Sequence, residues 1–199
     1  MRKIVTTTYI TLDGVMQAPG GPEEDTSNGF IYGGWLFGWD KVAENIMDKK
    51  VQAAPFDLLL GRLTYDIFAS YWPNHKEEQR WGKPFNSAKK YVVSHKPFKL
   101  SWNNSALITG DVVKELKKLK KSDSPDLLVY GSGNLIQTLL KNNLIDRMHI
   151  WTLPVTIGTG KKLFAEGTRP ERFKPVDSKI TTTGIIFATY EPSDPLKKG

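Results

Sequence analysis

The sequence predicts an α/β fold of three layers: a central, mostly parallel mixed sheet with helices on both faces, ending in an antiparallel hairpin. Three observations lead there. Strand-like and helix-like segments alternate along most of the chain, which is the signature of parallel strands joined by helical crossovers. Short apolar runs such as Leu58-Leu59-Leu60 and Leu127-Leu128-Val129 have the continuous apolar character of strands buried on both faces. The last two strand-like segments follow each other with no helix between them, so they pair as a hairpin. At 199 residues, 39% hydrophobic and 25% charged, the chain suits one compact domain. No shift in composition marks a second one. A single domain over 1–193 and a polar tail over 194–199 are expected.

Each element has its own local signal. Arg2 to Thr11 is β-branched and aromatic, so it opens the sheet, and Asp13-Gly14 ends it. Residues 17–34 are rich in glycine, proline and polar side chains and form a long loop. A helix is predicted from Asp40 to Val51, where Val42, Ala43, Ile46, Met47 and Lys50 share a face. Asp40 can cap its start, and Lys49 and Lys50 suit its negative end. Phe56 to Leu60 is a buried strand, followed by a helix over Thr64–Ser70. Residues 72–87 read as irregular. Lys90 to Ser94 is a strand, and Leu107-Ile108 a short one. Asp111 to Lys121 is a helix with Val112, Leu116 and Leu119 as its apolar stripe. Leu127 to Tyr130 is a strand. Leu135, Ile136, Leu139 and Leu140 make the next helix, closed by Asn142-Asn143. Ile145 to Val155 is a strand, Gly158-Thr159-Gly160 a turn, and 172–178 with 180–191 the closing hairpin.

Composition removes several function classes. With no cysteine there is no disulfide, thiolate nucleophile or cysteine-ligated metal. His75, His95 and His149 stand apart with no metal-binding spacing, so no metal site is expected. A formal charge of +7 suits an anionic partner. No apolar run approaches the roughly 20 residues of a membrane helix. The N-terminus runs straight into a strand without a signal peptide's apolar core, so a cytoplasmic protein is expected.

Ligands of open α/β sheets bind outside the carboxyl ends of the strands. Three such ends share one character here: Gly61-Arg62-Leu63-Thr64, Ser94-His95-Lys96 and Gly131-Ser132-Gly133-Asn134. Two of them lead straight into helices, whose free N–H groups and positive dipole end favour phosphate. Glycine lets the backbone approach a ligand, and Arg62, His95 and Lys96 add donors and charge. The pattern describes a groove for a phosphorylated nucleotide. It is neither a GxGxxG fingerprint nor a Walker A loop.

Four motifs in order now carry a resemblance. They are Thr11-Leu12-Asp13-Gly14-Val15, Leu60-Gly61-Arg62-Leu63-Thr64-Tyr65, Val129-Tyr130-Gly131-Ser132-Gly133-Asn134-Leu135, and the segment from Pro154 to Phe164 with its Gly158-Thr159-Gly160 turn. Over about residues 2–191 the chain resembles the dihydrofolate reductase-like superfamily. Within it, the chain is most similar to the branch of the reductase domain of bifunctional riboflavin biosynthesis proteins. The resemblance implies an eight-stranded mixed sheet and NADPH as hydride donor. Gly61, Arg62, Leu63 and Thr64 would hold the adenosine phosphates. Ser94, His95 and Lys96 would lie near the adenine and 2′-phosphate. Gly131, Ser132, Gly133, Asn134 and Leu135 would bracket the pyrophosphate. It also implies a homodimer, with 145–155 and 158–160 as the places for the contact.

The expected function is thus an NADPH-dependent reductase that passes a hydride to a small flat heterocycle of pteridine or pyrimidine type. Asp13 and Asp40 are the candidate catalytic residues. Asp13 sits in the branch motif, and Asp40 lies where folate reductases carry a carboxylate on the first long helix. Each residue also has a plain structural reading, as a turn residue and an N-cap. The riboflavin enzymes' Asp-Asp-Pro stretch is replaced by Tyr65-Asp66-Ile67-Phe68, and their deaminase domain is absent. Trp35, Trp39, Tyr71, Trp72 and Trp81 cluster in the region that would wall the substrate. The alternative is a non-catalytic nucleotide- or nucleic-acid-binding protein on the same fold, supported by the lysine-rich helix 111–121. Such a pattern is usually a solvated helix face, and no nucleic-acid-reading motif accompanies it.

Overall fold

The computed structural model describes residues 1–38, 46 and 50–194. Eight strands form one sheet: β1 (Ile4–Thr11), β2 (Phe56–Gly61), β3 (Lys90–Val93), β4 (Ser105–Ile108), β5 (Asp126–Tyr130), β6 (Arg147–Leu153), β7 (Phe173–Ile180) and β8 (Ile186–Pro192). Their order across the sheet is β4-β3-β2-β5-β1-β6-β8-β7. The first six strands pair in parallel, and β8 joins β6 and β7 antiparallel. The predicted mixed sheet and its closing hairpin are both present.

Four helices fully within the described residues cover it: α1 (Arg62–Tyr71), α2 (Gly82–Ser87), α3 (Val112–Lys120) and α4 (Gly133–Lys141). The apolar stripes divide them between the faces. Leu116 of α3 and Leu135, Ile136, Leu139 and Leu140 of α4 pack with Ile4, Leu59, Leu127 and Val129. Tyr65 and Phe68 of α1 and Phe85 of α2 pack with Val5, Leu58, Leu60, Leu128 and Tyr130. Successive strand residues point to opposite faces, so continuous apolar strands feed both layers. Each fully buried side chain of this kind stabilises by roughly 1.5–3 kcal/mol. Ile46 is helical and buried against Trp151, Leu153 and Phe187. Lys50 is also helical and pairs with Asp177 at 2.8 Å. The rest of the helix expected over 40–51, Asp40 and Trp39 included, lies outside the described residues.

Several expectations need correction. Residues 72–87 are not wholly irregular: a 3-10 turn spans Trp72–Asn74 and α2 follows. β4 starts two residues before Leu107, and β6 stops at Leu153, before Pro154. β6 pairs on both sides, with β1 and β8. Among the described residues no helix is long and apolar enough to cross a membrane.

The sheet order places the site. β5 is inserted between β2 and β1. The chain leaves β2 towards β3 through α1 and leaves β5 towards β6 through α4. These two neighbouring strands therefore send their helices in opposite directions and onto opposite faces. Such a switch point opens a crevice at the carboxyl ends of the strands.

Candidate functional site

At that crevice the ends of β2 and β5 are tied together. The Gly61 N–H donates to Ser132 Oγ at 2.9 Å, and Ser132 Oγ donates to Thr64 Oγ1 at 2.7 Å. Thr64 thereby accepts one hydrogen bond and keeps its own hydroxyl proton for a ligand. A β-carbon at Gly61 would stand 3.0 Å from Ser132 Oγ and 3.1 Å from its Cβ, so any side chain there would push Ser132 back by a few tenths of an ångström. Ser132 itself has φ 64°, the left-handed region, and follows Gly131 at φ 55°. Two left-handed residues in succession turn the chain sharply from strand into helix.

Neither α1 nor α4 has a side-chain N-cap. The N–H groups of their first turns therefore face the crevice without intrahelical partners. They concentrate partial positive charge where the two helices begin. The Gly61–Thr64 and Gly131–Leu135 segments thus meet, although they lie some 70 residues apart in sequence. Leu135 is buried, so its backbone N–H is what it can offer, whereas Asn134 and Leu63 are exposed. This arrangement fits a pyrophosphate-bearing dinucleotide.

The third segment lies beyond β2, at the end of β3. His95 and Lys96 are exposed. Ser94 is buried, and its hydroxyl donates to the Lys96 carbonyl at 2.7 Å, shaping the turn that presents those two cations. Arg62 bridges towards this loop. Its guanidinium lies 3.4 Å from the centroid of the Phe98 ring, and its Nε donates to Asp66 at 2.5 Å. Phe98 packs against Tyr65, whose hydroxyl accepts the Ser101 and Trp102 N–H groups at 2.9 Å each. Tyr65 thus locks the loop after β3 onto α1. Phe98 carries no motif, so sequence reasoning does not single it out.

Asp13 stands at the carboxyl end of β1, where its carboxylate is fully engaged. Thr11 Oγ1 donates to it at 2.5 Å, Gly158 N at 2.7 Å and Ile157 N at 3.2 Å. The Thr11 hydroxyl bond, helped by the two backbone N–H groups, lowers its pKa to about 2. At neutral pH Asp13 is an anion that fastens the 155–160 segment beside β1, and it carries no proton to give.

On the face of the sheet covered by α1 and α2, a shallow, open depression is lined by Gln52, Glu78, Gln79, Arg80 and Pro84. The Gln52 amide donates to the Tyr130 hydroxyl at 3.1 Å. Three backbone N–H groups, of Arg80, Trp81 and Gly82, bond to Glu78. Burial opposes the Glu78 charge, but those bonds outweigh it and hold the pKa below its usual value. The aromatics are largely committed to packing. Trp72 and Trp81 stand edge-on to Phe85, and Trp35 donates to the Gln17 carbonyl at 2.7 Å. Tyr71 stacks on His75 at the surface.

Comparison with known proteins agrees with this geometry. The uncharacterized protein YyaP of Bacillus subtilis (strain 168) is 27% identical over 198 residues, covering 95% of this chain and 94% of that protein. A protein of Shewanella sp. PV-4 named for riboflavin biosynthesis superposes with a TM-score of 0.65 at 22% identity. That match covers 96% of this chain and 99% of the other. Dihydrofolate reductase from Enterococcus faecalis, solved with NADP(H) and RAB-propyl, gives a TM-score of 0.62 at 14% identity. It covers 96% of this chain and 97% of that one. At such identities the two structures establish the dihydrofolate reductase-like fold. The model of the RibD C-terminal domain matches residues 2–187, nearly the whole chain, and on that match the chain belongs to the RibD C-terminal domain family.

Proposed function

We propose that this protein is an NADPH-dependent reductase acting on a small flat heterocycle of the pteridine or pyrimidine type. The observation that carries the reading is the pair of uncapped helix starts joined by Ser132 at the switch point of the sheet. The first-turn N–H groups of α4 and the Gly131-Ser132 turn would hold the pyrophosphate. Those of α1, with Thr64, would hold the adenosine side. Arg62, His95 and Lys96 would face the ribose phosphate, where added positive charge favours NADPH over NADH. NADPH, when bound, supplies the hydride. The protein's part is to fix the partners in a reactive geometry and to keep water out.

Asp13 acts in this proposal by position. As a locked anion it holds the 155–160 segment against β1, so proton delivery falls to another group or to water. A cytoplasmic homodimer belongs to the same proposal, and light scattering of the purified protein tests the dimer.

Titration with NADPH and NADH, followed by quenching of tryptophan fluorescence, tests the reading directly. Saturable binding with preference for NADPH is expected, and NADPH consumption in a screen of pterins and pyrimidines then identifies the substrate. Absence of saturable binding by either dinucleotide would overturn the proposal. Binding without turnover of any heterocycle would point instead to a nucleotide sensor.

A further inference from the structure

We infer that Asp66 is a positioning residue that, together with Phe98, fixes the Arg62 guanidinium for the phosphate on the ribose of NADPH. The inference rests on the dinucleotide reading above and adds a determinant of preference between the two dinucleotides.

Arg62 is the first residue of α1, at the mouth of the crevice, and its side chain is about half exposed. A free arginine there would sample many rotamers, and freezing it on a ligand costs side-chain entropy. Here it is held on two sides. One face of the guanidinium lies on the Phe98 ring, 3.4 Å from its centroid. Nε donates to Asp66 Oδ2 at 2.5 Å, four residues along the same helix. Phe98 is itself fixed by edge contact with Tyr65 at 5.7 Å. The Asp66 bond uses Nε alone. Among the described residues, the two terminal amino groups have no protein hydrogen-bond partner, and these are the groups that match a phosphate bidentately.

Asp66 could act in the opposite sense, since a carboxylate repels a phosphate dianion. Two features decide against this. The pair is exposed, so water and salt weaken the repulsion. Orientation of the planar fork, by contrast, is not screened. The net effect of Asp66 is therefore to favour the phosphate-bearing dinucleotide. Because exposed ion pairs contribute little to folding, Asp66 can be changed without loss of the domain.

The test compares dissociation constants for NADPH and NADH in the wild type, Asp66→Ala and Asp66→Glu, with thermal midpoints as a folding control. Asp66→Ala is expected to weaken NADPH by about threefold to tenfold, the scale of one exposed pair, and to leave NADH within twofold. Asp66→Glu, which keeps the charge on the same helix face, should restore part of the NADPH preference. Equal weakening of both dinucleotides would assign Asp66 a merely structural role and overturn the inference. Tighter NADPH binding by Asp66→Ala would make it a competing charge and also overturn it. If the wild type binds both dinucleotides equally, Arg62 does not meet the ribose phosphate. The inference then fails while the dinucleotide site stands. Only the absence of all binding brings down both.

Discussion

Ser132 holds two segments together from a backbone conformation that its side chain disfavours. Its φ of 64° costs on the order of 1 kcal/mol for a residue with a β-carbon. The hydroxyl offsets that by accepting from Gly61 N and donating to Thr64 Oγ1. Ser132→Ala keeps the strained backbone and removes both bonds. A loss of about 1 kcal/mol in urea-unfolding free energy is expected, with a several-fold rise in the NADPH dissociation constant. Ser132→Gly separates the two effects: it relieves the backbone, so stability recovers, but the dinucleotide affinity stays reduced. Equal affinity in all three proteins would show that the bridge shapes the fold and not the ligand site. The residue types of this site were legible in the sequence, because glycine and serine at a strand end before a helix carry a known physical meaning. The bridge was not, because its bonds join positions 71 and 68 residues apart and leave no local trace.

At the scale of elements, the pairing of β6 with β8 buries a titratable group. His149 is 4% exposed, stacks on Phe187 at 5.6 Å and meets Thr189 Oγ1 through Nδ1 at 2.9 Å. Burial, aided by the charge of Arg147, lowers its pKa to about 4 from an ordinary 6.5. The unfolded chain therefore takes up a proton between pH 6.5 and 4 that the folded chain refuses. The contribution is fully present above pH 6.5, fades as the pH falls to about 4, and changes no further below that. The fall amounts to about 3 kcal/mol. Asp177 and Glu191 flank this strand pair with pKa values held low by Lys50 and Arg147, so their windows lie at more acid pH. His149→Gln keeps an amide for Thr189 and removes the titration. Its unfolding free energy should be flatter than that of the wild type between pH 6.5 and 4, measured by urea denaturation. An unchanged slope would assign the acid sensitivity to other groups. Strands such as β6 were readable from their apolar runs. α2 was not, since six residues containing Gly82 and Pro84 give no helical period, and Phe85 is its lone large apolar anchor.

The whole molecule adds what no single element contains, the closure of the 17–34 loop onto the far segment around Lys161. The loop's composition suggests a long mobile connection, but its buried base is tied. Gln17, 3% exposed, donates through Nε2 to the carbonyls of Asp25 and Ser27 at 3.0 and 3.1 Å. Its Oε1 accepts the Lys161 N–H at 3.0 Å. Lys161 Nζ returns an ion pair to Asp25 at 2.6 Å. Close packing reinforces the tie: a β-carbon at Gly160 would meet Phe30 at 2.8 Å and Val15 at 3.0 Å. The alternating pattern of the chain was enough to anticipate the sheet and its hairpin. The insertion of β5 between β2 and β1 and the return of residues 155–163 to the start of the chain were not legible. Both are choices among long-range pairings that local sequence leaves equal. Gln17 therefore fastens the base of the loop to the segment around Lys161, while Ile31 and Tyr32 near its end stay exposed. Gln17→Ala unties four side-chain hydrogen bonds at once while leaving the sheet and both helix layers intact. Hydrogen exchange should then rise across 17–34 and 157–163 together, with protection of β1, β5 and β6 unchanged. Faster exchange in the loop alone would mean that Asp25–Lys161 and the Gly160 packing hold the far segment without Gln17. A global loss of protection would mean that the clasp belongs to the core of the fold.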